Sequence, residues 1–271
     1  MQALASVPAG ECGPSDLQRI VKTILAVAQE VRRMDLQCLH ITHKSGGDPT
    51  TALDRIINEI IRDTLPCKGE GWLSEETSDT LERLRCRRVW IVDPIDGTRE
   101  FIEGIPEWAV SIGLVIDHEA VAGGVFNPCT GEFFLGSVGE GVSAIRIEGS
   151  QGAHSANHPS CLLVSRREFR ENKWASYIAS GLRVRPVGSI AYRLARVAAG
   201  LDFATCTFEP RSEWDVAAGV ALMYANSGRV ETGSGQRVQF NQITPLLQSF
   251  FAFAQDCPSH IHRVLGRHNL A

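Results

Sequence analysis

The stretch Trp90-Ile91-Val92-Asp93-Pro94-Ile95-Asp96-Gly97-Thr98 holds the residues best suited to chemistry. An apolar run delivers Asp93 to a strand end, Pro94 is expected to stop pairing there, and Asp96 follows at once. Two carboxylates three apart around a turn converge on one point, and the Ile95 carbonyl between them offers a third oxygen. An all-oxygen set of this kind suits a hard cation, Mg2+ above all. Gly97 and Thr98 are expected to open a helix whose free N–H groups hold a phosphate beside that ion. The same residues also fit a plain Asx turn ahead of a glycine. Two further acids bear on the choice. Leu73-Ser74-Glu75-Glu76 sets Glu75 at the end of a short apolar run, and Trp214-Asp215-Val216-Ala217-Ala218-Gly219 sets Asp215 at the start of a small-residue helix. Singly, each reads as a solvated surface acid. Buried with Asp93 and Asp96, the four would repel one another unless cations neutralised them.

Elements must bring these residues together. Leu17, Ile20, Val21, Ile24, Ala28 and Val31 recur at amphipathic helical spacing, with Ser15 or Asp16 as cap. Lys44 to Thr51 is polar and glycine-rich, a mobile loop or hairpin tip. Leu53, Ile56, Ile57, Ile60 and Ile61 mark a second helix with Asp54 in its first turn. Val89–Val92, Ala109–Ile116, Val121–Phe126 and Glu132–Gly136 read as strands, the later ones forming a meander. Beyond a polar stretch over 149–160 the pattern alternates: a strand at 162–165, a helix at 190–199, a strand at 201–205 and a helix at 216–225. Antiparallel strands followed by alternating elements predict a layered α/β fold. The expected division is a loose tail over 1–14, a unit over 15–150 carrying most of the acids, and a unit over 151–271 carrying Asp215, packed as one compact body.

Composition narrows the partners. The 271 residues carry 27 Lys and Arg against 31 Asp and Glu, a net charge of −4. That argues against gripping a nucleic acid polymer through bulk positive charge. No apolar run approaches the ~20 residues that span a bilayer, so no membrane partner is expected. The eight cysteines (Cys12, Cys38, Cys67, Cys86, Cys129, Cys161, Cys206, Cys257) show no CxxC and read as reduced thiols of a cytoplasmic protein. Arg83, Arg85, Arg87 and Arg88 read as a solvated face, and His260, His262 and His268 as solvated residues. Phe250, Phe251 and Phe253 read as core or a dimer surface.

DPIDGT, the downstream WDVAAG and the preceding SEE resemble the inositol monophosphatase superfamily over most of the chain, from about residue 44 to 241. The resemblance implies an αβαβα sandwich of the inositol monophosphatase and fructose-1,6-bisphosphatase type, and a metal-dependent phosphoric monoester hydrolase. It implies two or three Mg2+ ions, with Mn2+ as a substitute, held by Glu75, Asp93, Asp96, Asp215 and the Ile95 carbonyl. Thr98 and Asp54 match the pair that orients and deprotonates the attacking water. Lys44 matches a flexible loop that closes over a third ion. Relatives of this kind are often homodimers.

The substrate is read from finer matches. Asp96-Gly97-Thr98-Arg99-Glu100-Phe101-Ile102 is similar to the DGTKEFI pattern of 3′(2′),5′-bisphosphate nucleotidases, and Leu73-Ser74-Glu75-Glu76 to their LSEE. Val164-Ser165-Arg166 resembles their VSRS and Gly188-Ser189 their GSS. This implies adenosine 3′,5′-bisphosphate as substrate, giving AMP and phosphate, with Ser165, Arg166 and Ser189 as contacts. Arg211 is placed to hold a second phosphate, and Glu209 or Glu213 a sugar hydroxyl. The nucleotidases carry a lysine shortly after Gly-Ser; here Ala191-Tyr192-Arg193 follows, and Arg193 supplies the charge if the helix register permits. The alternatives are an inositol-1-phosphate phosphatase, a fructose-1,6-bisphosphatase, or a non-catalytic metal-dependent binder of phosphorylated ligands.

Overall fold

The computed structural model of the chain describes residues 15–34, 41–43, 49–148, 161–232 and 236–266. Its first half runs α1 (Asp16–Arg33), β1 (Ile41–His43), β2 (Pro49–Thr51), α2 (Ala52–Thr64), β3 (Gly71–Ser74), β4 (Arg88–Asp96), α3 (Thr98–Ile102), β5 (Ala109–Ile116), β6 (Glu119–Phe126), β7 (Glu132–Ser137) and β8 (Gly141–Arg146). The second half runs β9 (Leu162–Ser165), α4 (Arg166–Arg170), α5 (Ala175–Ala179), β10 (Val184–Val187), α6 (Ile190–Ala198), β11 (Ala204–Thr207), β12 (Arg211–Ser212), α7 (Glu213–Ala225), β13 (Arg229–Thr232), β14 (Leu246–Leu247), β15 (Phe250–Phe253) and α8 (Ser259–Gly266). The tail over 1–14, residues 44–48 of the loop expected over 44–51, the 149–160 stretch, Cys12, Cys38 and His268 lie outside the described residues; Pro49–Thr51, expected in that loop, form β2 antiparallel to β1.

Two sheets and three helical layers alternate as αβαβα. β3 to β8 form a six-stranded sheet in sequence order, with only the β3–β4 pair parallel. The second sheet is ordered β10-β9-β11-β15-β13. Side-chain alternation along β4 divides the cores: Trp90 and Val92 pack under α1 and α2, while Val89 and Ile91 face α6 and α7. The second sheet divides likewise. Phe250 and Ala252 face the central helices, and Phe251 and Phe253 face an outer layer with α5 and α8. The three phenylalanines are core. No described helix is long and apolar enough to cross a membrane.

The central layer explains the small residues after Asp215. Val216 to Met223 are all buried, so α7 is surrounded by protein on every side. A Cβ on Gly113 of β5 would sit 2.8 Å from the Ala218 nitrogen, and Gly219 gives its space to Leu194 of α6. Only glycine and alanine permit this approach of helix to sheet, and the approach brings the start of α7 beside the end of β4.

Several sequence expectations are corrected. Pro94 does not end its strand: β4 runs to Asp96, with pairing shifting from Asp93↔Ser111 to Asp96↔Ala109 across a bulge. A bulge accommodates the missing N–H of proline and re-aims the residues after it. The strand expected at 201–205 lies at Ala204–Thr207, because Gly200 turns the chain at φ +71° and Asp202 is taken by Arg196 and Arg185. The arginine run is not a uniformly solvated face. Arg83 is buried against Asp79, Asn241 and the Gln242 carbonyl, and Arg88 bridges Glu70 and Asp16. Cys67 is disulfide-bonded, whereas Cys86, Cys129, Cys161, Cys206 and Cys257 are free, so the all-reduced reading fails at that residue.

Glu70 is the hub of the ion network at that end of β4. Its Oε2 accepts from Arg19 at 2.5 Å, from the Cys67 amide at 2.8 Å and from Trp90 Nε1 at 2.8 Å; its Oε1 accepts from Arg19 and Arg88. Burial alone would raise its pKa, but these hydrogen bonds overcome that and hold it at about 2 against an ordinary 4.5. A carboxylate lowered on folding contributes stability that is complete above about pH 4.5 and is lost as pH falls toward 2. The contribution is roughly 3 kcal/mol at neutral pH. Glu70→Gln is therefore expected to lower urea stability at pH 7 by about that amount, leaving Arg19 buried without its charge partner. The gap between variant and wild type should close as pH drops from 4.5 to 2; a gap independent of pH would contradict the assignment.

Candidate active site

Three carboxylates meet where β4, α6 and α7 converge. Asp93 lies on the face of β4 that looks toward α7 by simple alternation, and its Oδ1 accepts the Ile95 amide at 2.9 Å. Asp96, past the bulge, is held by the first turn of α6: its Oδ2 accepts from Ser189 Oγ at 2.5 Å and from the Ala191 amide at 2.7 Å. Asp215 stands third in α7, forms a capping box with Ser212, and accepts the Ser212 amide at 3.2 Å. One oxygen from each of Asp93, Asp96 and Asp215 lies within 4.8 Å of the others. Glu75, immediately after β3, lines the same cavity and presses on Asp93 electrostatically.

Burial first, then the neighbouring acids, pushes Asp93 and Asp215 well above the usual carboxylate range. Burial also raises Asp96, despite the opposing bonds from Ser189 and Ala191. Like charges this close cannot all ionise unaided. The donor set contains only oxygen, with no sulfur or imidazole, and so fits a hard divalent cation such as Mg2+.

Thr98 opens α3 behind Gly97, as the motif predicts. Gly97 sits at φ +97°, which favours glycine, and a Cβ there would press on the Glu107 carbonyl at 3.2 Å. Thr98 Oγ1 donates to the Ile95 carbonyl at 3.1 Å. Asp54 stands third in α2 and accepts the Thr51 amide at 2.7 Å and Thr51 Oγ1 at 2.6 Å. Burial, helped by Glu76 and Glu75, raises its pKa to about 6 against the bonds from Thr51. β2, which ends in Thr51, packs on α3, the helix that Thr98 opens; Asp54 itself is not among the residues lining the cavity.

A cavity of about 320 Å³ joins the acids to the predicted substrate wall. Ser165 and Arg211 line it as expected. Arg193 lines it too, so the register of α6 does turn this residue inward. The remaining candidates are engaged elsewhere. Arg166 pairs with Glu107 and it is Arg167 that lines the cavity. Ser189 is spent on Asp96 and on capping α6. Glu209 pairs with Lys173 at the surface, and Glu213 is buried accepting the Asn241 and Gln242 amides.

No local pattern pointed to Glu107, whose Oε2 accepts the Gly188 amide at 3.0 Å and whose carbonyl accepts the Ser189 amide at 3.0 Å. Nor did one flag Glu168, fully buried, which accepts Thr207 Oγ1 and the Phe208 amide and so fixes the turn ahead of Arg211. Both contacts span tens of residues and carry no local pattern.

An αβαβα sandwich with an oxygen cluster suited to divalent metal, facing guanidinium groups across one cavity, defines the class of metal-dependent phosphatases. The profile of the inositol monophosphatase family matches residues 15–263, and the chain belongs to that family. An inositol-1-monophosphatase of Mesorhizobium japonicum is 34% identical over 220 residues, covering 74% of this chain and 78% of that protein. A 3′-phosphoadenosine 5′-phosphate phosphatase of Mycobacterium leprae is 31% identical over 225 residues, covering 78% and 82%. Among solved structures, the extragenic suppressor protein suhB from Bartonella henselae superposes with a TM-score of 0.73 at 25% identity, covering 94% of this chain and 98% of that one. The protein is thus a metal-dependent phosphatase of small phosphate esters.

Proposed function

We propose that the substrate is a small bisphosphate, adenosine 3′,5′-bisphosphate, hydrolysed to AMP and phosphate. The observation that carries this reading is a pair of cavity arginines that no carboxylate contacts. Arg19, Arg83, Arg185 and Arg196 each have a carboxylate within 3.0 Å. Arg193, 1% exposed, and Arg211 have no ion-pair partner among the described residues, and the Nε of each is buried without a hydrogen bond. Arg193 donates only to Thr205 Oγ1 and the Cys206 carbonyl, both at 3.1 Å. Burial, then the like charge of Arg211, lowers its pKa to about 10. Asp96 and Glu168 act on Arg193, and Asp96 and Asp215 on Arg211, only at longer range than an ion pair, so an anion that touches both guanidinium groups would be stabilised there. A second phosphate, held there while the first meets the acids, is such an anion.

Glu75, Asp93, Asp96, Asp215 and the Ile95 carbonyl would hold Mg2+. When bound, Mg2+ supplies charge neutralisation for the phosphoryl group and acidification of water. Thr98 Oγ1, its own proton held by Ile95, accepts from the attacking water and orients it. Asp54, ionised above about pH 6, takes up the proton released. The Gly97 and Thr98 amides face the phosphoryl oxygens.

The second reading, an inositol-1-phosphate phosphatase, is favoured by the 34% identity to the Mesorhizobium japonicum enzyme. The test is kcat/KM with Mg2+ on adenosine 3′,5′-bisphosphate, AMP, inositol 1-phosphate and fructose 1,6-bisphosphate. The bisphosphate nucleotide should exceed inositol 1-phosphate by at least tenfold. The reverse order would replace the first reading with the second, and no turnover with or without Mg2+ would point to a binding protein.

A further inference from the structure

The cavity holds one carboxylate outside the acid cluster. Glu100 lies on α3 two residues beyond Thr98, half-buried and lining the cavity with Thr98, Arg167, Gly188 and Arg211. No other side chain among the described residues hydrogen-bonds to it. The acids around it are Asp96 and Glu107, and the adjacent cation, Arg166, is already bound to Glu107. Its place is made by a missing side chain: a Cβ on Gly188 would lie 2.8 Å from Glu100 Oε1 and closer still to its Cγ and Cδ. Glycine at the entry to α6 therefore admits this carboxylate to the cavity.

A carboxylate beside an entering phosphate ester repels it, and burial adds to that cost. The cost is offset only where the substrate gives something back. An ionised carboxylate only accepts hydrogen bonds, so the group it meets must carry a donor. The phosphates carry none when ionised, which leaves the organic part of the substrate. We infer that Glu100 is a specificity-determining residue that accepts a hydrogen bond from a hydroxyl of the substrate's sugar or polyol. This rests on the phosphatase reading and deepens it: the preferred substrates are hydroxylated, and sites built around such a bond reject analogues lacking it. In adenosine 3′,5′-bisphosphate the free ribose hydroxyl is the 2′-OH.

The experiment compares wild type with Glu100→Ala and Glu100→Gln, at saturating Mg2+, on adenosine 3′,5′-bisphosphate and its 2′-deoxy and inosine counterparts. Wild type should discriminate against the 2′-deoxy compound at least tenfold. Glu100→Ala should abolish that preference by losing activity on the ribose compound while turning over the deoxy compound at least as fast as wild type does, since the repulsion is gone with the carboxylate. Equal losses on both, an unchanged preference, discrimination against the inosine compound alone, or a raised Mg2+ requirement with selectivity intact would each overturn the inference. If wild type ignores nucleotides, the substrate reading fails by itself. Inositol 1-phosphate and its monodeoxy analogues then put the same question to Glu100, and selectivity unchanged in Glu100→Ala across that set overturns it.

Discussion

Asp93→Asn is expected to abolish turnover while making the metal-free protein more stable. The two effects have one cause. Asp93 is buried among Glu75, Asp96 and Asp215, and without cations each ionised member raises the energy of the others. Asparagine keeps the size and still accepts the Ile95 amide, which is bonded at 2.9 Å in the wild type. It removes one negative charge from the centre of the cluster. In EDTA the variant should therefore melt higher than wild type. The pH dependence follows with a definite sign. A carboxyl group raised on folding binds its proton more tightly in the folded state, so wild-type stability without metal falls as pH rises beyond the ordinary carboxylate range. That fall should be shallower in the variant. With Mg2+ the order reverses: wild type gains melting temperature by binding, and the variant gains little. Activity should drop on the order of 10³-fold, or about 4 kcal/mol of transition-state stabilisation. A variant with near-normal kcat and normal Mg2+ content would refute the metal role of Asp93. A variant less stable than wild type in EDTA would refute the repulsion among the four acids.

The parts of this cluster legible in the sequence were those written locally. Asp93, Ile95, Asp96, Gly97 and Thr98 fall within six residues, and strand alternation with a glycine at φ +97° completes their geometry. Asp215 was legible at the start of a small-residue helix and Asp54 in the first turn of another, its role coming from the family resemblance; the structure adds that each stands third in its helix and completes a capping box. The layered fold followed from the switch between two-residue and helical periodicity. What failed did so because partner choice is settled by tertiary approach. Arg166 and Arg167 are neighbours on one short helix, and only the position of Glu107 decides which is tied down. Ser189 looked like a substrate contact, but α6 starts close enough to Asp96 for its hydroxyl to be taken at 2.5 Å. Arg83 sits in a run of exposed-looking arginines, yet Asn241, 158 residues away, buries it. Pro94 argued for a strand end because the bulge that tolerates it belongs to the pairing with β5, not to β4 alone.

The other large effect separates arginines that hold the fold from arginines that hold the ligand. Arg211→Met and Arg193→Met are each expected to lower kcat/KM for adenosine 3′,5′-bisphosphate by about 10- to 100-fold. This matches the roughly 1.5–3 kcal/mol of a hydrogen bond to a charged group. The loss should appear chiefly in KM, because the second phosphate is bound alike in ground and transition states. Monophosphates, which never reach that end of the cavity, should be turned over as before. The two substitutions should not add. Arg193 and Arg211 repel each other in the empty site, so losing either relieves the one that remains. Stability supplies an independent readout. Arg19→Met strips Glu70 of its main partner and should destabilise by several kcal/mol. Arg193→Met removes a buried charge that no carboxylate contacts, at the expense of hydrogen bonds to two neutral acceptors, and should leave urea stability within about 1 kcal/mol of wild type. Equal losses on bisphosphate and monophosphate, or a destabilisation matching that of Arg19→Met, would make Arg193 a structural residue and remove the ground for a second phosphate site.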